Sequence, residues 1–313
     1  MVGAQKGFAV GKGLILVTDD GRTWTPRYSG GATFVSIDAV DAAHAWAVGD
    51  KALYGTVDGG KHWTGLGSPE NAMLHAVHFV DEHFGWGVGG GRLFRSGDSG
   101  RTWGELRPPC GAEAVCFTGQ DDGWVAAGNR IAHSTTGGDS WTTVLTVPGQ
   151  EDVNGWYPQS LQCARPGVVW ALFIGGNAAT SHSPYVVYRG TATGQWTAVA
   201  KEAMTGPREV RAPSLGTSPA PISALGPDSA VLLTYTGPLD VPVGLEVADE
   251  AGRRLSPSRN IPGLVSPTAA SFVSPDAGWV VGTKMDAEAD TILATTDGGR
   301  TWQEQFVRQA PVR

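Results

Sequence analysis

FVDEHFGWGVGGGRLFRSGDSGRTW, residues 79–103, contains two motifs that recur along the chain. Its tail ends in tryptophan, and close copies stand at VTDDGRTW (17–24), TVDGGKHW (56–63), STTGGDSW (134–141) and TTDGGRTW (295–302). Its middle, FGWGVGG (84–90), returns as HAWAVGD (44–50), DGWVAAG (122–128), GVVWALF (167–173) and AGWVVGT (277–283). The two tryptophans lie 17 residues apart in three successive copies: Trp46 to Trp63, Trp86 to Trp103 and Trp124 to Trp141. Such constant spacing marks an array of like units. Degenerate copies extend it, with Phe8 before Trp24, Trp170 before Trp196 and Val231 before Leu255. Seven units result.

Each unit reads as short strands separated by turns. In residues 74–108 the pattern predicts strands at 75–80, 85–89 and 92–96, a D-S-G-R turn, and a strand from 102. Four short antiparallel strands per unit of about 40 residues are the sequence signature of a β-propeller. The expected fold is therefore all-β, a seven-bladed β-propeller of four-stranded antiparallel blades in one domain. Its blades fall at about 1–30, 31–70, 71–110, 111–150, 151–205, 206–262 and 263–313. Only 11 residues follow Trp302 and seven precede Phe8, so the first blade is expected to be incomplete.

Composition agrees. Glycine supplies 45 of 313 residues, about double the usual share of roughly 7%, and tryptophan 12, while charged residues reach only 17%. A 41% apolar content can build a core, which excludes wholesale disorder. No run approaches 18 uncharged apolar residues, so no membrane-crossing helix is expected. Net charge is −7, without any Lys/Arg cluster, which argues against a nucleic-acid partner. The cysteines Cys110, Cys116 and Cys163 show no C-x-x-C spacing, which leaves open one bridge of unassigned pairing plus a free thiol.

The tryptophan-ended octapeptide has a local logic. Its aspartate (Asp19, Asp58, Asp98, Asp297) can accept backbone N–H bonds in the turn. The glycine two residues on tolerates positive φ. The tryptophan (Trp24, Trp63, Trp103, Trp141, Trp302) then pins the hairpin by burying its ring. None of these roles needs a ligand.

The pattern S/T-x-D-x-G-x-T-W, complete at 96–103 and 295–302, resembles the Asp-box, or bacterial neuraminidase repeat. With FVDEHFGWGVG (79–89) before it, the chain looks most like the photosystem II assembly-factor-like group of seven-bladed Asp-box propellers. That resemblance implies a non-enzymatic, extracytoplasmic protein that assists assembly or binds partner proteins. Sialidases and other glycosidases share the box, so the box itself specifies fold, not function.

A sialidase resemblance would further imply an R-I-P arginine motif in the first blade. Residues 1–28 offer only Arg22 and Arg27, and the nearest lookalike, VRAPS (210–214), lies far along the chain. A two-carboxylate glycosidase needs an acid and a base facing one cleft. Its available carboxylates are Glu151 and Asp152, which as neighbours on an extended chain would point apart, and Asp240, Asp286, Glu288 and Asp290, which sit in polar loops. His75 and His78 would fall on opposite faces of one strand, against a zinc site with His83. Asp286, Glu288 and Asp290 alternate as in some calcium loops but lack the turning glycine, so no cofactor is expected.

Extra sequence accumulates in the fifth to seventh blades, where the two motif positions lie 26, 24 and 23 residues apart. Their loops carry Trp156, Tyr157, His182, Tyr185, Arg208 and Arg211, residue types that anchor interfaces. These six are the expected binding residues, for a protein or a glycan partner of an extracytoplasmic monomer that carries no membrane insertion of its own. A glycoside hydrolase is the alternative. A polar register, eight residues before each first-tryptophan position, comprises Asp38, His78, Cys116, Gln162, Ser223 and Ser271, and is expected to solvate a central channel.

Overall fold

The computed structural model describes all residues except 51, 71, 150–154, 165–166, 177–183, 203–217, 236–242, 285–288 and 309–313. The chain forms two compact units, Met1–Thr146 and Val147–Arg313.

The first unit contains three antiparallel sheets. β1 (Gly7–Thr18), β2 (Thr25–Ala39), β3 (Ala45–Gly49), β4 (Leu53–Thr56) and β5 (Thr64–Leu66) form one sheet in that order. β6 (Ala76–Phe79), β7 (Gly85–Gly89), β8 (Arg92–Ser96) and β9 (Gly104–Leu106) form the second. The third joins β10 (Ala114–Phe117), β11 (Gly123–Ala127), β12 (Arg130–Ser134) and β13 (Thr142–Thr146).

The second unit repeats the scheme. β14 (Trp156–Ala164), β15 (Val168–Gly175), β16 (Tyr185–Thr191) and β17 (Trp196–Glu202) make the fourth sheet. β18 (Ser218–Ala224), β19 (Ala230–Tyr235), β20 (Val243–Asp249) and β21 (Arg254–Leu255) make the fifth, with β22 (Arg259–Ile261) also pairing with β20. β23 (Leu264–Phe272), β24 (Gly278–Lys284), β25 (Asp290–Thr295) and β26 (Gln303–Arg308) make the sixth.

The architecture is an all-β propeller with four-stranded antiparallel blades, but it has six sheets, not the seven expected. Residues 1–30 form no blade of their own. They supply β1 and the start of β2, and β2 runs on without a break to pair with both β1 and β3. Residues from Thr25 to Thr33 pair with β1, and Phe34–Ala39 with β3. Elsewhere proline interrupts the stretch between one sheet and the next, at Pro69, Pro108 and Pro109, or Pro148. Here Pro26 stands at the start of the strand and nothing later stops it, because proline costs a strand only where its missing N–H or fixed φ is felt.

The recurring glycine before the first tryptophan has a packing cause. Phe79 pairs across the sheet with Gly85, and a Cβ on Gly85 would stand 2.4 Å from the Phe79 ring. Phe117 and Gly123 repeat the pair at 2.2 Å, and Phe272 and Gly278 at 2.1 Å. In the first sheet the pair is Ala39 with Ala45, so a smaller partner accompanies the larger residue. The displaced ring is then used between sheets. Trp46 stacks on Phe79 at 3.7 Å between centroids and Trp86 on Phe117 at 3.6 Å, each with planes 4° apart. Trp103 and Trp141 meet the same two phenylalanines edge-on. Each such aromatic pair contributes roughly 0.5–1.5 kcal/mol beyond burial. Leu74, Val77 and Phe94 complete the core between the first two sheets, and Leu93, Val115 and Val125 that between the next two.

Candidate binding surface

The octapeptide turns close on their own side chains. Asp98 Oδ1 accepts from Ser96 Oγ at 2.9 Å and from Thr102 N at 2.8 Å, while its Oδ2 accepts from Thr102 Oγ1 at 2.7 Å. Asp297 repeats this with Thr295 and Thr301. Asp58 uses Thr56, His62 N and His62 Nδ1. In STTGGDSW, Thr136 Oγ1 takes the carboxylate's place and accepts from Ser140 N at 2.9 Å. The glycine N–H returns to the leading hydroxyl, as Gly100 N does to Ser96 Oγ.

The first copy is shifted by one residue. Val17 has no hydroxyl, so Thr18 donates to Asp20, which also accepts from Arg22 N and Thr23 N. Asp19 instead receives Lys6 Nζ at 2.6 Å and is 64% exposed. The turn bonds govern titration. Hydrogen bonds from the backbone of Thr23 and Arg22 hold Asp20 well below the usual carboxylate range, and those from His62 do the same for Asp58. The Thr301 hydroxyl and N–H lower Asp297 to about 2. Burial works to raise Asp98, but its bonds from Thr102 and Ser96 leave it lowered overall.

The tryptophans are taken up by packing. Trp24, Trp46, Trp86, Trp124, Trp170 and Trp279 are buried, and Trp63, Trp103, Trp141, Trp196 and Trp302 are partly buried. Of the six expected binding residues, three are described. Trp156 is 4% exposed and donates to Pro148 O at 2.9 Å. Tyr185 is 2% exposed and belongs to the core around Trp170, Leu172 and Val187. Tyr157 alone of the three faces solvent, at 54% exposure. His182, Arg208 and Arg211 lie outside the described residues, as do Glu151, Asp152, Asp240, Asp286 and Glu288. Asp290 opens β25, is exposed, and pairs across the sheet with Thr283 and Arg308.

Four members of the polar register, Asp38, His78, Gln162 and Ser223, join sheets. Asp38 Oδ2 accepts from Phe79 N at 2.6 Å, and His78 Nε2 donates to Phe117 O at 2.9 Å. Gln162 bonds twice to β18, donating to Ile222 O at 2.7 Å and accepting from Ala224 N at 2.8 Å. Ser223 Oγ accepts from Phe272 N at 2.9 Å. A second row acts at the turns, where Trp46 Nε1 donates to Ser99 O, Trp86 Nε1 to Gly137 O and Trp170 Nε1 to Gly226 O. Arg95, Arg189 and Arg259 reach Gly137 O, Pro227 O and Gly298 O in the same manner, while Lys6 reaches Gly59 O within the first sheet.

Three residues before the register stands a further row, on or just before the strand that carries each register residue. In the first unit these positions are Val35, His75 and Glu113, all exposed, with His75 Nε2 donating to Glu113 O at 2.9 Å. In the second unit Gln159 and Thr268 are exposed at the same offset. Pairing with the next strand slips beside Val35, Gln159 and Thr268, between Phe34 and Ser36, Pro158 and Ser160, and Pro267 and Ala269. Bulges re-aim side chains in this way and are over-represented beside functional sites. Tyr157 and Gln159 are both exposed on β14, two residues apart. Sequence reading missed this row because an extra residue leaves no mark in a repeat whose loops already vary.

Cys110 is a free thiol, and burial pushes it up. Among the described residues no group of three His, Cys, Asp or Glu is placed to hold a metal, and no helix is long and apolar enough to cross a membrane.

No family model matches the chain, and no curated protein matches it. Solved structures do. A YCF48 chain bound to a D1 peptide is 18% identical over 87% of this chain and 82% of its own, with a TM-score of 0.58. YCF48 from Cyanidioschyzon merolae is 16% identical over 88% and 87%, with a TM-score of 0.60. A GH74 enzyme from Niastella koreensis is 11% identical over 97% and 67%, with a TM-score of 0.59. The likeness is one of fold. At these identities the propeller is shared, and the neighbours' ligands and activities remain their own.

Proposed function

We propose that this chain is a non-catalytic binding scaffold that holds a protein segment against the outward residues beside the bulge of β14. The observation that carries this reading is the exposed pair beside the β14 bulge, where Tyr157 and Gln159 offer an aromatic anchor next to a hydrogen-bonding amide. Tyrosine is among the residues that concentrate binding energy at interfaces. Two facts support it. The described carboxylates held below their usual range at the octapeptides are spent on turns, and a YCF48 chain of the same fold has been solved with a D1 peptide. The Asp-box assignment, an extracytoplasmic location and a monomeric state belong to the same proposal.

A photo-crosslinking aromatic residue at position 157, with Lys61 as control site, tests it in extract of the native cell. A polypeptide captured from 157 and not from 61, and competed by unmodified protein, is the expected result. Equal capture from both sites overturns it. A glycosidase is the second reading, favoured by the fold shared with GH74 enzymes. Hydrolysis of a polysaccharide panel that carboxylate substitutions abolish would establish that reading instead.

A further inference from the structure

The fifth sheet contains a carboxyl that no turn uses. On β20, Leu245 and Val247 face the core shared with β23 and β24, while Gly244, Glu246 and Ala248 face the opposite side. There Ala248 packs in the core that joins the fourth and fifth sheets, with Leu232, Trp170, Leu172, Tyr185 and Val187. Glu246 is only 5% exposed on this apolar face, opposite Leu232, and its Oε2 has no hydrogen-bond partner. Thr234, opposite Gly244, is 2% exposed and its Oγ1 is likewise unpartnered. A Cβ on Gly244 would lie 2.6 Å from Thr234 Oγ1 and 2.5 Å from Ser258 Oγ, so the two hydroxyls converge above the glycine.

Among the described residues the neighbours supply no counter-charge. β19 presents Ala230, Leu232 and Thr234; β16 and β17 present Tyr185, Val187, Val199 and Ala200. Tyr185 is the titratable group among these. Lys201 pairs with Val186, on the other face of its sheet, and the Arg259 guanidinium donates to Gly298 O. Ser258, beside Glu246 where β22 begins, is exposed and hydrogen-bonds the carboxyl, giving solvent protons a way in.

We propose that Glu246 is a proton-controlled latch: as the neutral acid it keeps β19, β20 and β22 packed against the fourth sheet, and its ionisation loosens them. An isolated buried carboxylate is far costlier than a buried acid. Burial pushes the Glu246 carboxyl up, with the Ser258 bond opposing it. A carboxyl raised on folding stabilises the native state at acid pH, and that contribution is lost as pH rises through its folded value.

Amide exchange of Val243–Asp249, read against Gly278–Lys284 in the same protein, is the test. Between pH 5 and 8, opening of β20 relative to β24 is expected to increase tenfold or more in the wild type, the change that one pKa unit of differential protonation produces. In Glu246→Gln the increase should disappear, with a melting temperature above wild type at pH 8 and close to it at pH 4.5. A wild-type ratio that stays constant with pH overturns the proposal. So does a Glu246→Gln variant that folds yet keeps the same pH response. The wild-type measurement stands even if the variant fails to fold.

Discussion

Asp19 and Asp20 are chemically identical neighbours with different work. Asp20 closes a turn through three donors, while Asp19 sits 64% exposed against Lys6. Exposed ion pairs contribute little, whereas a carboxylate that accepts several turn donors replaces bonds the backbone would otherwise lack. Asp20→Asn is therefore expected to lower the melting temperature more than Asp19→Asn, with both measured at pH 7 by circular dichroism; equal shifts would reassign the turn. Motif alignment points to Asp19, because it counts positions from the tryptophan. The hydroxyl that the aspartate needs two residues earlier is supplied by Thr18, not Val17, and that chemical requirement decides the register. Trp156 and Tyr185 were misleading for a related reason. Residue type marks both as interface anchors, but an aromatic at the start of a strand packs inward as readily as outward, and only the pleat decides.

At the scale of elements, the strands β7 and β8 were legible to the residue in one sequence window, and the neighbouring β6 and β9 nearly so. Glycine pairs, alternation and the tryptophan spacing mark them locally. The joins between sheets were not legible, because they rest on side chains whose partners lie about 40 to 60 residues away. Gln162 shows the stakes, for it satisfies both Ile222 O and Ala224 N. Gln162→Ala removes both bonds and is expected to cost about 1–3 kcal/mol, the penalty for stranding polar backbone groups at a packed join. Urea unfolding with an unchanged m-value would measure it. Gln162→Glu retains an acceptor for Ala224 N but loses the donor to Ile222 O, and should fall between the two.

For the whole molecule, the miscounted blade shows what a repeat can and cannot say. Seven copies of a turn are not seven sheets, since a strand without a proline break serves two neighbours. Titration also acts at this scale, from two directions. Asp297, lowered to about 2 by Thr301, adds stability that is complete above its unfolded value and fades as pH falls toward 2. Glu246, raised by burial, acts in the opposite sense as pH rises. Thermal stability should therefore peak in mildly acidic solution. Melts from pH 2 to 8 check this, and Asp297→Asn should lie below wild type at pH 5 and converge with it near pH 2.

Among the described residues, the side-chain bonds to backbone that join sheets within a unit point one way along the chain. Asp38, Trp46, His78, Trp86 and Arg95 in the first unit, and Gln162, Trp170, Arg189, Ser223 and Arg259 in the second, each meet backbone of the following sheet. On the ribosome, a sheet that has just emerged thus holds polar groups whose partners have not been made. A sheet joined in this way is finished by its successor, so assembly within each unit is vectorial: a pause in translation strands the newest sheet, and a chain cut short loses the closure of the sheet before the cut as well as the one it interrupts.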